Sequence, residues 1–230
     1  MTYKALVLLS GGMDSTTLLA HAAMDRDCTG IEAVFVNYGQ RHLRELESAR
    51  AVAAYYDVRL SELDLRSFGA SVRSALTSGD IDVPHGHYAE DNMAKTVVPN
   101  RNATMLSAAA GIAASRGCDV VVTAVHAGDH AVYPDCRPEF IDALAIATEL
   151  GCGVSIEAPF VRSTKADIAA RGFELGAPYH LTWSCYEGDP AGHCGRCGTC
   201  VERAEAFALA GVPDPTTYRD SEFWKTAVAQ

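Results

Sequence analysis

The sequence lacks any apolar run that approaches the roughly 20 residues needed to span a membrane. Its first residues, Met1 to Lys4, lead directly into an apolar segment and leave no room for a secretory signal peptide. Internal repeats and low-complexity tracts are also missing. These absences predict a cytoplasmic globular protein, and 230 residues suffice for one large domain with a small appendage.

Positively charged residues are scarce as well. The chain has 19 Lys and Arg against 29 Asp and Glu, which gives a formal net charge of −10 at pH 7. Affinity for DNA or RNA comes largely from basic side chains that neutralise phosphates. The charge balance therefore predicts no direct nucleic-acid partner, although a local basic groove is compatible with it.

The N-terminal stretch predicts an anion-binding turn. An apolar strand, Ala5 to Leu9, leads into Ser10-Gly-Gly-Met-Asp-Ser15, and Thr16 to Ala23 follows with a helical pattern. Adjacent glycines let a ligand approach the backbone, while the free N–H groups and the dipole of the helix favour negative charge. The turn has neither the lysine of a Walker loop nor the third glycine of a dinucleotide fingerprint.

The pattern Ser-Gly-Gly-x-Asp-Ser after a first strand resembles the pyrophosphate loop (PP-loop) of the ATP-pyrophosphatase superfamily, whose members adenylate a substrate and release pyrophosphate. The alternative is an ordinary glycine turn in which Asp14 or Ser15 caps the helix. The residues predicted to contact ATP are Leu9, Ser10, Gly11, Gly12, Met13, Asp14, Ser15, Thr16, Tyr38 and Arg101.

Strand and helix patterns alternate along most of the chain. Val-rich strands joined by helices predict an α/β fold of the Rossmann-like type, a parallel sheet with helices on both faces. We divide the chain into a PP-loop domain, residues 1–180, and a small C-terminal element, residues 181–230, packed on it. Predicted strands cover 5–9, 31–36, 58–63, 119–125 and 154–157, and predicted helices cover 16–23, 41–56, 103–115, 139–150, a segment opened by a capping box at Thr164, and 201–210.

Two regions depart from this alternation. The segment from Leu65 to Val98 has weak periodicity, and so long an irregular stretch is usually functional or mobile. We expect it to form a loop or small insertion near the active site, with His85 and His87 as surface histidines in preference to metal ligands. Residues 213–230 are expected to form an extended tail.

Four cysteines in the C-terminal element follow the pattern C-x8-C-x2-C-x2-C. Thiolates at these spacings can converge on one tetrahedral centre, and a closed set of four predicts a structural zinc ion. An iron–sulfur cluster and a metal-free site are the alternatives, while a reducing compartment disfavours disulfides. The predicted ligands are Cys185, Cys194, Cys197 and Cys200.

Polar residues follow several predicted strands, at the edge where ligands of an open α/β sheet bind. Arg101 can fork onto a phosphate or a carboxylate, and Lys165 can reach a phosphate as a point charge. Asp135 and Glu139 suit a guanine-like base, because its pairing edge carries N–H donors that carboxylates accept. The alternative is that these two acids cap and charge the helix that begins near Pro138.

Together these motifs resemble the 7-cyano-7-deazaguanine synthase family of queuosine precursor biosynthesis over nearly the whole chain. The resemblance implies the adenine nucleotide alpha hydrolase-like form of the Rossmann-like fold and a homodimer. Gly128-Asp-His-Ala-Val132 departs from the family pattern, so the contacts of Asp129 and His130 do not carry over. The matching segments are Ser10–Ser15, Tyr38-Gly-Gln-Arg-His42, Pro99-Asn-Arg-Asn102, Tyr133-Pro-Asp-Cys-Arg-Pro-Glu-Phe140 and Trp183-Ser-Cys-Tyr186.

The resemblance implies an ATP-dependent ligase that converts 7-carboxy-7-deazaguanine and ammonia to 7-cyano-7-deazaguanine, with AMP and diphosphate released. Asp14 would hold magnesium, and Arg101, Lys165 and Asp135 complete the implied catalytic set. Two other functions stay open: a tRNA-modifying enzyme with the same loop, and a nucleotide-binding or zinc-knuckle module without catalysis. The implied substrate contacts are Tyr133, Asp135, Arg137 and Glu139.

Overall fold

The computed structural model describes residues 1–40, 44–77, 85–86, 91–188 and 191–229. The strands are β1 Tyr3–Leu8, β2 Cys28–Asn37, β3 Arg59–Asp64, β4 Val120–Val122 and β5 Ser155–Glu157. The helices are α1 Met13–Met24, α2 Arg44–Tyr55, α3 Arg66–Ser71, α4 Arg101–Arg116, α5 Pro138–Cys152, α6 Lys165–Glu174, α7 Gly198–Ala210 and α8 Phe223–Ala227. Short 3₁₀ turns cover Asp91–Thr96, Ala127–Ala131, Pro134–Cys136 and Tyr179–Leu181.

The strands of the described chain form one five-stranded sheet in the order β3-β2-β1-β4-β5. Each neighbouring pair is parallel. The chain reverses its direction of travel across the sheet at β1, so the carboxyl ends of β1 and β4 border a crevice where such folds bind ligands. This topology confirms the predicted Rossmann-like α/β fold.

The central strand β1 is buried on both faces. Ala5 and Val7 pack in one hydrophobic cluster with residues of α1, α2 and α6. Leu6 and Leu8, which point the other way, pack in a second cluster with residues of α4 and α5. Because successive side chains of a strand alternate, a continuous apolar run is what a sheet covered by helices on both faces requires.

Most predicted elements are confirmed within a few residues at their ends. The capping box is confirmed, since the Thr164 hydroxyl accepts from Asp167 N at 3.1 Å and the Asp167 carboxylate accepts from Thr164 N at 2.8 Å. Strand β4 stops at Val122 instead of 125, because the chain leaves the sheet there to border the crevice. The predicted start of α2 at 41–43 lies outside the described residues.

Two expectations of irregular structure need correction. The segment from Leu65 to Val98 contains α3, which lies so close to Tyr38 that a Cβ on Gly69 would collide with the Tyr38 carbonyl oxygen. The expected tail contains α8, whose first amide, Phe223 N, donates to the Asp220 carboxylate at 3.0 Å. Helices of five or six residues are too short to show a helical period in the sequence.

The C-terminal element packs on the sheet domain. Met13 of α1, Ala169 of α6 and Phe207 of α7 share one buried hydrophobic cluster with Tyr179. The boundary between residues 180 and 181 stays a prediction. Among the described residues, no helix is both long and apolar enough to cross a membrane.

Candidate active site

The turn between β1 and α1 has the geometry of an anion-binding loop. Gly11 has a φ of +84°, and a Cβ there would contact the carbonyl oxygen of Glu45 and lie 2.6 Å from Ala49 N. Only glycine fits this contact between the loop and α2. Gly12 precedes α1 as its N-cap and has no side chain to cap the helix, so within the described part of the chain the first N–H groups of α1 stay available to a ligand.

The two serines of the loop fix its shape. The hydroxyls of Ser10 and Ser15 lie 3.0 Å apart, and the Ser10 hydroxyl accepts from Gly12 N at 3.3 Å. The Ser15 hydroxyl accepts from Ser10 N at 3.2 Å and donates to the Gly12 carbonyl. The loop is thus preorganised by its own side chains.

A cavity of about 250 Å³ lies at the carboxyl ends of β1, β2 and β4. Its lining includes PP-loop residues, residues that follow β2, and Arg101 at the start of α4. The structure therefore brings together residues that are far apart in sequence. Nine of the predicted site residues line this cavity: Leu9, Ser10, Gly12, Asp14, Ser15, Tyr38, Arg101, Tyr133 and Lys165.

Lys165 contributes a positive charge to the cavity lining, next to Asp14 of the PP-loop. Its ammonium lies 2.6 Å from Glu202 and 3.2 Å from Asp14. Burial disfavours its charge, but these carboxylates outweigh that effect and hold the pKa of Lys165 well above its ordinary value. Burial likewise favours a neutral Asp14, yet the Lys165 ammonium keeps the pKa of Asp14 below its ordinary value. Oδ1 of Asp14 is buried without a hydrogen-bond partner in the described structure, which suits a metal ion or a phosphate-bound cation.

Arg101 is a second cation in the cavity lining. Its guanidinium carbon lies 5.8 Å from the ring centres of both Tyr38 and Tyr133. The Tyr133 hydroxyl in turn lies 2.6 Å from that of Thr96. Nε of Arg101 is buried without a hydrogen-bond partner among the described residues, so the guanidinium retains a donor for an anionic ligand.

Further polar residues line the cavity, among them Gln40, Glu45, His126 and Asp129. Burial raises the pKa of Glu45 to about 7, against the hydrogen bond from Gln40 and the charge of Arg101. Nδ1 of His126 accepts from Gly128 N at 3.1 Å, and its Nε2 lies 3.6 Å from Asp129. Gln40 lies inside the Tyr38–His42 segment that matches the family, and this match was the sequence feature that could have identified it.

The other predicted substrate contacts do not line the cavity. Asp135 accepts from Asn102 N at 2.9 Å and so caps α4. The capping alternative expected it to cap the helix that begins near Pro138. Arg137 donates from Nε to the carbonyl of His130 at 3.0 Å. Glu139 is exposed in the first turn of α5.

Three loop residues also lie outside the lining. Met13 packs in the hydrophobic cluster with Tyr179 and Phe207. Thr16 is fully buried, and its hydroxyl has no hydrogen-bond partner in the described structure. Gly11 faces α2. Their backbone groups still shape the loop.

The four predicted metal ligands come together. The Sγ atoms of Cys185, Cys194, Cys197 and Cys200 all lie within 4.8 Å of one another, and all four residues are buried. Backbone N–H groups point at the sulfurs, as from Cys194 N to Cys185 Sγ at 3.2 Å. Such a set of soft donors stabilised by amides can hold one metal ion. His85 is not part of this group but pairs with Glu187 at 2.6 Å, and His87 lies outside the described residues.

The cysteine cluster adjoins the cavity. Trp183 and Tyr186 pack against the four cysteines and also line the cavity. Glu202, which binds Lys165, follows Cys200 in α7. A metal held by the cysteines would therefore fix one wall of the site.

Comparison with known proteins gives the same assignment as the motifs. A 7-cyano-7-deazaguanine synthase from Chelativorans sp. (strain BNC1) is 50% identical over 231 residues, covering 99% of this chain and 98% of that protein. The protein of that name from Brucella ovis is 50% identical over 226 residues, 96% of each chain. A solved structure, the U34-tRNA thiolase NcsA from Methanococcus maripaludis with its 4Fe-4S cluster, aligns with a TM-score of 0.49 and 12% identity. That alignment covers 90% of this chain and 65% of the thiolase.

The family model described as queuosine biosynthesis protein QueC matches residues 4–211. This span holds the PP-loop, the cavity and all four cysteines. The chain therefore belongs to the QueC family of queuosine biosynthesis, an enzyme family.

Proposed function

We propose that the protein is an ATP-dependent ligase that converts 7-carboxy-7-deazaguanine and ammonia to 7-cyano-7-deazaguanine, releasing AMP and diphosphate. The observation that carries the proposal is one cavity lined by PP-loop residues, by Lys165 and by Arg101, whose guanidinium lies near two tyrosine rings. The loop and Lys165 suit the phosphates of ATP, and Arg101 with its neighbouring rings suits a planar acid. Such an arrangement supports attack of a carboxylate on the α-phosphate.

The reaction needs two adenylations. The substrate carboxylate attacks the α-phosphate of the first ATP, diphosphate leaves, and an acyl adenylate forms. Ammonia displaces AMP to give the amide, with loss of a proton. The amide oxygen then attacks the α-phosphate of a second ATP, a second diphosphate leaves, and elimination of AMP and a proton from the adenylated amide gives the nitrile.

The chain's own residues would serve these steps by positioning and charge. The N–H groups of the loop and of α1, with Lys165, would stabilise negative charge on the departing diphosphate. Arg101 would orient the carboxylate that attacks. Three residues are candidates for the base that removes the proton during the elimination: Asp129, His130 and Asp135. Of these three, Asp129 lines the cavity.

Two metals fit residues of this chain. The four cysteines would hold a structural zinc ion, which would link the segment at Cys185 to the segment from Cys194 to Cys200. Asp14, with its unpartnered Oδ1, would hold magnesium, which neutralises phosphate charge when bound. We also propose that the protein acts as a homodimer, and sedimentation of the purified chain tests this directly.

The test is mass spectrometry of the product formed from the acid, ATP, magnesium and an ammonium salt. The expected product is the nitrile, with twice as much AMP formed as nitrile. AMP release that does not depend on the acid would overturn the proposal. Adenylation of tRNA in place of the acid would favour the tRNA-modifying alternative.

A further inference from the structure

One carboxylate in the cavity has no role in the steps above. Glu45 lies in the first turn of α2, and its backbone is fixed because α2 abuts the PP-loop at Gly11. Its side chain is half-buried and lines the cavity. A charged group so placed, with its backbone clamped, is positioned to meet whatever fills the cavity.

Gln40 is a fixed neighbour of this carboxylate. Oε1 of Gln40 accepts from Tyr38 N at 2.9 Å, and its Nε2 donates to the Val36 carbonyl at 3.2 Å, which fixes the plane of the amide. The Gln40 amide lowers the pKa of Glu45, although burial raises it more. Since a carboxylate has about four lone-pair sites, Glu45 keeps acceptor capacity for a ligand.

The surroundings of Glu45 match a planar base with N–H donors. Tyr38, Tyr133 and Tyr186 line the same cavity, so a base bound there would lie beside aromatic rings. Burial raises the pKa of Glu45 to about 7, so Gln40 and Arg101 do not fully offset the cost of desolvating its negative charge. Hydrogen-bond donors from a bound ligand would stabilise that charge further.

We propose that Glu45 is a specificity-determining residue that accepts hydrogen bonds from the N1–H and 2-amino groups of the 7-deazaguanine base. The inference rests on the proposed function and names the contact that distinguishes its substrate. Arg101 would take the 7-carboxylate at the other end of the base. Glu45 thereby takes the recognition role expected of Asp135, whose carboxylate binds Asn102 N instead.

The experiment compares two acids, 7-carboxy-7-deazaguanine and its analogue without the 2-amino group, as ligands of the metal-loaded protein. Calorimetry without ATP gives affinities, and nitrile formation gives kcat/KM. The wild type is expected to prefer the 2-amino acid by about 10- to 100-fold, the discrimination that a bidentate pair supplies. Glu45→Gln, which removes the charge and one acceptor, should reduce that preference to nearly one while the KM for ATP changes less than about twofold.

Glu47→Gln is the matched control, because Glu47 lies in the same turn of α2 but is exposed. It should keep the wild-type preference. A wild type without preference, or a Glu45→Gln variant that retains it, would overturn the inference. So would a change confined to the KM for ammonium, which would assign the carboxylate to the nitrogen donor. A wild type that binds the acid selectively but forms no nitrile would overturn the proposed function alone, and the binding ratios would still decide the role of Glu45.

Discussion

Nζ of Lys165 lies 2.6 Å from Oε2 of Glu202, and this contact joins the first residue of α6 to the helix that carries Cys200. The same ammonium is 3.2 Å from Asp14. Lys165 is thus shared between a residue of the PP-loop and a residue next to the cysteine cluster. If either the Asp14 or the Glu202 carboxylate is removed, the Lys165 ammonium can pair only with the one that remains.

The first prediction concerns this sharing. Glu202→Gln should let Lys165 pair with Asp14 alone and compete with magnesium there. We expect the magnesium concentration for half-maximal activity to rise about 10-fold, equivalent to ~1.4 kcal/mol. Glu174→Gln, an exposed acid of α6, is the control. An unchanged magnesium requirement in a variant that retains its cysteine-bound metal would contradict the prediction.

The second prediction concerns the contact between the loop and α2. Gly11→Ala places a methyl group 2.6 Å from Ala49 N in a left-handed conformation, so α2 must move. We expect a loss of roughly 2–4 kcal/mol in the free energy of unfolding, measured with urea. Gly117→Ala has the same backbone strain in open space and should cost only about 1 kcal/mol. Equal losses in the two variants would contradict the assigned contact.

The third prediction separates binding from stability at the neighbouring position. Gly12 has a φ of −80°, and a Cβ there would lie 3.5 Å from Ser10 Oγ, so alanine fits without strain. The methyl group would, however, line the cavity at the proposed phosphate site. Gly12→Ala should change the free energy of unfolding by at most about 1 kcal/mol. Its KM for ATP should rise at least about 10-fold, and an unaltered KM would place the phosphates elsewhere.

The fourth prediction concerns the cysteine cluster. Cys200→Ser should abolish stoichiometric metal binding and lower the Tm, because the buried thiolate set holds α7. Cys152→Ser, at an exposed cysteine of α5, should leave both unchanged. Elemental analysis measures the metal. Iron with visible absorbance in place of zinc would favour the iron–sulfur alternative.

The fifth prediction concerns pH. Burial raises the pKa of Glu45 to about 7, above its unfolded value, so the native state binds more protons than the unfolded state in the window between them. The charged carboxylate therefore destabilises the fold above pH 7, and the penalty disappears as pH falls toward about 4. Glu45→Gln should be more stable than the wild type by roughly 3 kcal/mol at pH 8 and equal to it near pH 4, by urea unfolding. A constant difference across this range would contradict the assigned pKa.

Much of the fold follows from local sequence. The Val-rich strands and the capping box at Thr164 depend on residues close together in the chain, and both are confirmed. Helix α8 escaped prediction because five residues are too few to show a period. The cysteine cluster was predictable because three of its ligands lie close together in the sequence, between Cys194 and Cys200.

The sequence by itself determined most of the elements, the PP-loop and the set of possible metal ligands, because turn geometry and ligand spacing are local properties. Only the tertiary structure decided which charged groups share the cavity. It brought Glu45 and Arg101 into one cavity lining, gave Lys165 two carboxylate partners, and turned Asp135 to the N-terminus of α4. Those placements depend on how α2, α4, α6 and α7 pack on the sheet, and side-chain contacts between distant segments leave no period or spacing in the chain.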